Sequence, residues 1–362
     1  MTKKFNIHRD ISKAETLPAS FYRSHEVFES LKEKVFYCTW QWLGTADQVP
    51  DPGSVAPKVL LPEFLSEPIV LTHSSKGEIS CLTNVCTHRG NLVVTKGGNS
   101  RKLICGYHGR RFLLDGTFEH MPEFQDTKDF PRACDDLHSF PIRRWGPFLF
   151  GGLHPAFDFQ TVLTQMEERI GFMPLDMFVE ERSRAKEYEV NAHWALYCDN
   201  YLEGFHIPFV HDDLNAVLDY GDYETVLYEH MNLQIGYAEG TEAVFDLPAG
   251  HVDHGKQIAA YYFWVFPNMM FNFYPWGVSV NIVEPKSIHK TKVRFISYVY
   301  DKSKLDTGAG SGLDKVELED EEVVEGVHLG VRSAFYKAGR FSPTREQGVH
   351  HFHGLLANFL DR

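Results

Sequence analysis

Cys86-Thr-His88-Arg-Gly-Asn91 is followed, after the sixteen residues that separate His88 from Cys105, by Cys105-Gly-Tyr-His108-Gly-Arg110. Each half offers one thiolate and one imidazole. Two thiolates on one iron and two neutral imidazoles on the other are the donor set of a histidine-ligated [2Fe–2S] cluster, in which the imidazoles lower the negative charge and raise the reduction potential. Both halves must then be tight loops that present two side chains to one place, and Gly90, Gly106 and Gly109 fit such turns. Tetrahedral zinc is the competing reading, but its usual spacings group Cys with Cys and His with His. The chain is therefore expected to carry electrons.

At 362 residues the chain can bury two substantial cores. No basic apolar leader occupies Met1 to Asp10, and no apolar run approaches bilayer length, so a soluble, cytoplasmic protein is expected. Of the six cysteines, Cys38, Cys81, Cys134 and Cys198 read as small core residues rather than ligands. A net charge of −13 excludes nucleic acid and anionic membranes as natural partners. The acidity serves solubility, and it could also meet a basic face of a reductase.

Composition divides the chain into an N-terminal helical segment (1–37), a β-rich domain (38–154) and a C-terminal domain (155–362). Leu17-Pro18 breaks the first segment, and an apolar stripe runs from Phe21 to Val35. Short β-rich runs punctuated by Gly, Pro, Asp and Asn fill the second. The third predicts adjacent antiparallel strands from Tyr261 to Tyr300, with turns at Pro267-Asn268, Pro275-Trp-Gly277 and Pro285-Lys286. Lys302 to Asp314 reads as a mobile surface loop, followed by a long helix to about Ala338.

In Glu203-Gly-Phe-His206-Ile-Pro-Phe-Val-His211, two histidines suggest half of a 2-His-1-carboxylate triad, which binds Fe(II) on one face and leaves the other for O2 and substrate. Residues five apart on a helix diverge by about 140°. Pro208 is expected to break the helix at Ile207 and let His211 swing back. The carboxylate is sought on the acidic helix that follows Asp314. There Asp320 sits amid Val316, Val323, Val324, Val327 and Val331, so a metal or a buried arginine should balance it, whereas Glu319, Glu321, Glu322 and Glu325 read as solvated charges.

These pieces, in this order, resemble the α subunits of Rieske non-haem iron oxygenases over nearly the whole chain. Cys198-Asp-Asn-Tyr-Leu-Glu-Gly-Phe-His206, Pro267-Asn-Met-Met-Phe-Asn272, Glu319-Asp320, Glu325-Gly-Val-His-Leu-Gly330 and His350-His-Phe-His-Gly-Leu-Leu356 are similar to its choline monooxygenase-like, quaternary-amine branch. The resemblance implies an α+β protein: an all-β Rieske [2Fe–2S] domain plus a helix-grip (START-like) catalytic domain with an antiparallel sheet. It implies a cluster held by Cys86, His88, Cys105 and His108, and a mononuclear Fe(II) held by His206, His211 and Asp320. Glu203 would be the carboxylate that bridges to a Rieske histidine of a neighbouring subunit in a head-to-tail homotrimer or a multiple of it. An NAD(P)H-dependent reductase with flavin or iron–sulfur groups would supply electrons, and O2 would hydroxylate a small quaternary amine such as choline, a betaine or carnitine.

Neither cluster loop has the further cysteine of electron-transfer Rieske proteins, which fits the oxygenase type. Gly106 and Arg110 stand where this family commonly has Pro and Trp, which is expected to alter reductase docking or subunit contact. Phe263, Trp264, Phe271, Phe273, Tyr274 and Trp276 could include a cation–π cage or enclose a planar ring, the latter being the choice of an aromatic-ring-hydroxylating dioxygenase. His350, His351 and His353 read as part of a C-terminal amphipathic helix. A pure electron carrier would leave His206, His211 and Asp320 without a purpose; a ligand-binding module that has lost catalysis is the other alternative, and iron content separates them, three irons per chain for an oxygenase against two for a carrier.

Overall fold

The computed structural model describes residues 4–211, 223–238, 243–305 and 313–362. The chain forms two compact units, residues 37–157 and residues 1–36 together with 158–362.

The first unit is built from short antiparallel strands. A five-stranded sheet runs in the order β5 (Gly98–Asn99), β2 (Ser54–Leu60), β3 (Glu67–His73), β4 (Ile79–Thr83) and β9 (Ser139–Phe140). Two three-stranded sheets accompany it: β1 (Trp40–Thr45), β11 (Phe148–Gly152), β10 (Ile142–Trp145), and β6 (Leu103–Ile104), β7 (Arg111–Phe112), β8 (Phe118–His120). Val55, Val70, Leu82, Leu103, Phe112 and Leu137 form a core that also contains Cys86 and Cys105, so each cluster loop is anchored by its cysteine in packed apolar surface.

The second unit centres on an eight-stranded antiparallel sheet. Its order is β12 (Val179–Glu180), β19 (Lys290–Val299), β18 (Gly277–Ser287), β17 (Met269–Tyr274), β16 (Ile258–Val265), β15 (Met231–Tyr237) and β14 (Glu224–Leu227), with β13 (Lys186–Val190) also on β19. The turns at Pro267-Asn268 and Pro275-Trp276 join consecutive strands, as alternation and turn chemistry predict. Pro285 does not turn the chain. It pairs with Thr291 inside the β18–β19 ladder, beside a bulge between Pro285 and Ser287, and the reversal follows at Ile288-His289. The β17 ladder has already ended at Ile282, so the missing N–H of Pro285 costs no hydrogen bond on that side.

Period two assigns side chains to faces. The register places Gln234, Tyr262, Asn272 and Ser279 opposite one another in one row across four strands. Leu233, Phe263, Phe271 and Val280 form the neighbouring row, whose side chains point to the other face. The helices of this unit include Phe159–Ile170, Trp194–Tyr201, Leu313–Gly330 and Gln347–Leu360. The long acidic helix ends at Gly330 rather than near Ala338, since Val331 to Phe335 turn away. Of the Gly/Ser-rich stretch before it, residues 306–312 lie outside the described residues.

A buried polar relay ties the N-terminal segment to this unit. The Leu17 N–H donates to His353 Nδ1 (3.0 Å), His353 Nε2 meets Asp199 Oδ1 (2.9 Å), and Tyr22 donates to Asp199 Oδ2 (3.0 Å). His350 Nε2 binds the His8 carbonyl and His351 Nδ1 the Asn232 amide oxygen, so all three C-terminal histidines are used for packing. Among the described residues, no helix is long and apolar enough to cross a membrane.

Candidate metal centres and substrate pocket

The two cluster loops have the same backbone construction. In one, Cys86 N–H donates to Asn91 O (2.8 Å) and Gly90 N–H to Cys86 O (3.0 Å); in the other, Cys105 N–H donates to Arg110 O (2.9 Å) and Gly109 N–H to Cys105 O (3.0 Å). Gly90 and Gly109 take φ of 74° and 75°, the left-handed conformation that each turn needs. Gly106 has no such requirement: it is not among the positive-φ residues, and a Cβ there would meet nothing within 4 Å.

The His88 and His108 rings lie with centroids 4.8 Å apart, and Cys86 and Cys105 are both buried. Burial pushes the Cys86 thiol up. At Cys105 burial is outweighed by the Tyr107 N–H, the Asn91 amide and the Cys86 thiol, which hold it below the usual range. Burial, then His108, Arg110 and Arg89, keep His88 neutral, the form that binds metal. Paired thiols with N–H donors on the sulfurs and a pair of imidazoles beside each other fit the [2Fe–2S] group.

Arg110 is 1% exposed. Its guanidinium sits among Phe112, Phe118 and Phe130, with Cζ 5.6, 4.9 and 5.4 Å from the ring centroids, and Nη2 binds Asp135 Oδ1 at 2.8 Å. The Asp135 carbonyl accepts from Arg110 Nη2 (3.0 Å) and from Thr87 Oγ1 (2.8 Å), so one peptide oxygen fastens both cluster loops.

In the second unit, His206, His211 and Asp320 each offer a ligand atom, all within 4.8 Å of one another. It is the one such gathering among the described residues. Pro208 acts differently from the sequence expectation. The one-turn helix Ile207–Val210 carries Pro208 in its first turn, where a missing N–H costs nothing. The chain departs from helical geometry at His211 (φ −119°, ψ 80°), and that departure returns the second imidazole.

Both imidazoles turn Nε2 toward Asp320 Oδ1, at 3.4 Å from His206 and 3.0 Å from His211. Both Nδ1 atoms are held by carboxylates: His206 by Glu203 Oε1 at 2.6 Å, His211 by Glu319 Oε2 at 2.7 Å. A carboxylate on Nδ1–H fixes the tautomer and leaves the Nε2 lone pair free for a metal. Glu319 is thus an orienting group rather than the solvated charge expected from its helical position. Glu203 also accepts the backbone N–H groups of Phe205 and His206, and Asn200 Nδ2 donates to Asp320 Oδ1 (3.0 Å). Two neutral nitrogens and a carboxylate facing one point fit Fe(II).

Without metal, these groups share protons. Burial disfavours the His206 imidazolium, but hydrogen bonds to Asp320 and Glu203 push it up to about 9 from 6.5. In chelator-treated protein the stabilisation from a protonated His206 is fully present below pH 6.5 and lost as pH rises through about 9. Because iron must displace that proton, Fe(II) affinity is expected to rise about tenfold per pH unit over this window and level off above it. Competition titration with a chelator at several pH values checks this; a flat profile would contradict it.

A cavity of about 120 Å³ opens beside the triad. Tyr197, Tyr201, Tyr223, Tyr262, Tyr274 and Phe295 wall it, with Gln234, Asn272, Ser279, Asn281 and Glu317 among them. Of the six aromatic residues considered for a cage, only Tyr274 lines it. Phe263, Phe271 and Phe273 point to the opposite face, Trp264 packs on Phe352 (5.0 Å), and Trp276 stacks behind Tyr274 (5.2 Å). Tyr262 and Glu317 were missed. Strand parity identifies the first; the second lies one turn before Asp320 on a line with the buried Val324, His328 and Val331, whereas Val327 of the expected stripe is 44% exposed.

Residues 39–131 match the Rieske [2Fe–2S] domain, and residues 179–362 match the family described as ring hydroxylating alpha subunit (catalytic domain). The chain is 27% identical to the chloroplastic choline monooxygenase of Arabidopsis thaliana, over 99% of this chain and 86% of that protein. It is 26% identical to the carnitine monooxygenase oxygenase subunit of Escherichia coli (strain K12), over 95% and 93%. A solved quaternary ammonium Rieske monooxygenase superposes with a TM-score of 0.78 at 22% identity, covering 99% of this chain and all of that one. With half of its length matched by the catalytic domain and a cluster domain before it, the chain belongs to the ring-hydroxylating α subunits, oxidoreductases that join a Rieske [2Fe–2S] cluster to a mononuclear non-haem iron.

Proposed function

We propose that this chain is the terminal oxygenase for a small quaternary amine, hydroxylating a carbon next to nitrogen. The observation that carries the reading is the pocket wall: five tyrosines and a phenylalanine around a cavity that opens onto the candidate iron ligands. Aromatic faces attract a trimethylammonium through the ring quadrupole, and a weakly hydrated cation loses little on entering such a site. Burial holds Tyr197, Tyr201, Tyr223 and Tyr274 well above the usual phenol range, so they stay neutral.

When bound, the iron and the cluster supply O2 activation and electrons. The chain's own residues prepare the place. Glu203 and Glu319 orient the two imidazoles, and Asn200 steadies Asp320. Tyr201 donates to Asn272 Oδ1 (2.5 Å), which ties the helix Trp194–Tyr201 to β17 and keeps the pocket walls together. His88 and His108, Cys86 and Cys105 would hold the cluster. Glu203, at the edge of the iron site, is our candidate for the carboxylate that links this site to a neighbouring subunit's Rieske histidine in a homotrimer. Electrons would come from a separate NAD(P)H-dependent reductase.

Calorimetric titration of the anaerobic protein tests the substrate class. Choline or another quaternary amine is expected to bind with a Kd of roughly 1 µM to 1 mM, the range of ordinary enzyme substrates. Binding of aromatic acids alone would overturn it.

A further inference from the structure

Glu317 differs from every other buried acid among the described residues. Asp135 is paired with Arg110, Asp253 with Arg169 and Lys256, and Glu284 with Lys286 and Arg294. Glu317 is 5% exposed, and its partner is a neutral phenol: Tyr197 OH lies 2.8 Å from one carboxylate oxygen and 2.7 Å from the other. A phenol donates a single proton, which cannot balance a buried negative charge. Glu317 also lines the substrate cavity, one helical turn from Asp320. Burial pushes its carboxyl well above the usual range; Tyr197 works against this, and Asp320 and Glu321 add to it. A buried acid with no lysine or arginine partner among the described residues, lining an aromatic cavity, is a place for a ligand's positive charge.

The charges of the cavity set the ligand class. Its described lining includes Glu203, Glu317 and Asp320, and neither lysine nor arginine is among the described lining residues. An ammonium entering there meets negative charge and aromatic faces. A carboxylate carried by the same substrate would find no lysine or arginine among the described lining residues to pair with.

We propose that Glu317 is the anionic subsite of this pocket, the counter-ion for the substrate's ammonium group, and that the pocket takes an amine cation carrying no acid group. The assignment rests on the quaternary-amine reading and narrows it: choline-like alcohols enter, and zwitterions such as carnitine or betaine are disfavoured. Glu317 then acts on binding, while Asp320 one turn away is left to the iron.

The test compares choline with its neutral tert-butyl analogue, in which carbon replaces nitrogen, and with carnitine. Wild-type protein is expected to bind choline at least tenfold more tightly than either. In Glu317→Gln, choline affinity should fall about thirty-fold, with the neutral analogue unchanged and iron and cluster content retained. Glu317→Asp, which keeps the charge, should recover most of the loss. Equal choline binding by wild type and Glu317→Gln would refute the subsite and leave the quaternary-amine reading standing. An equal loss of choline and analogue, or loss of iron, would make Glu317 structural and likewise refute it. Should Glu317→Gln not fold, the wild-type ratios decide: equal affinity for choline and its neutral analogue refutes the counter-ion, and equal affinity for carnitine refutes the restriction to amines without an acid group. Failure of every quaternary amine to bind wild type would defeat the underlying reading itself.

Discussion

Asp320→Ala is expected to abolish turnover and remove the non-cluster iron while the visible and EPR spectra of the Rieske cluster remain unchanged. Both Nε2 atoms converge on Asp320 Oδ1. Alanine leaves two imidazoles and no anionic ligand, one donor short of the 2-His-1-carboxylate set that holds Fe(II). The fold should tolerate the change. Removing Asp320 also removes the main reason for His206 to be protonated, so the vacated site becomes less charged rather than more. The measurement is iron and acid-labile sulfide per chain, before and after the substitution, alongside substrate-dependent O2 uptake. Retention of all iron by the variant would contradict the assignment.

Arg110→Ala should have the second largest effect, and it falls on stability and cluster content rather than on the catalytic iron. The substitution empties a box of three phenylalanine rings and leaves Asp135, itself 6% exposed, with the solvent-facing Arg132 guanidinium (3.5 Å) as its remaining cation. Breaking a buried pair by removing one partner costs about 3–5 kcal/mol, and the surviving Arg132 contact places this case toward the lower end. The Asp135 carbonyl then keeps its hydrogen bond from Thr87 and loses the one from Arg110, so the two cluster loops are no longer fastened to one oxygen and should separate more readily. Thermal unfolding followed through the cluster chromophore reads the effect. A pairing test separates charge from packing: Arg110→Trp should be costly alone and less costly together with Asp135→Asn, because the double variant removes both charges and refills the box. Additive effects of the two changes would contradict this account.

The cluster domain was legible because its chemistry is local. Metal geometry demands Cys-x-His and Cys-x-x-His in tight loops, and Gly90 and Gly109 adopt the positive φ that such loops require. His206, His211 and Asp320 were legible for a similar reason, although the device that brings the histidines together was misplaced. Proline chemistry allows Pro208 either to break a helix or to open one, and only the three-dimensional course of Ile207–Val210 decides between them.

The pocket was far less legible. Aromatic identity drew attention to Phe263 and Phe271, but which member of the Tyr262-Phe263 pair faces substrate depends on sheet register, a tertiary property. The polar row of Gln234, Tyr262, Asn272 and Ser279 emerges only once four strands are aligned. Glu317 and Glu319 were hidden by the abundance of acids on their helix. Composition cannot tell an acid that holds a histidine or lines a cavity from one that faces water.

The central claim is that this chain supplies both an electron-carrying cluster and an iron site that responds to a quaternary amine. It is tested most directly by a single turnover without reductase. The protein is reduced chemically under anaerobic conditions, mixed with O2 in the presence or absence of choline, and followed through the visible spectrum of the cluster. The account predicts that choline accelerates reoxidation, that oxidised product forms in proportion to protein, and that Asp320→Ala abolishes both effects. Reoxidation at the same rate with and without every quaternary amine tried, and no product, would contradict it.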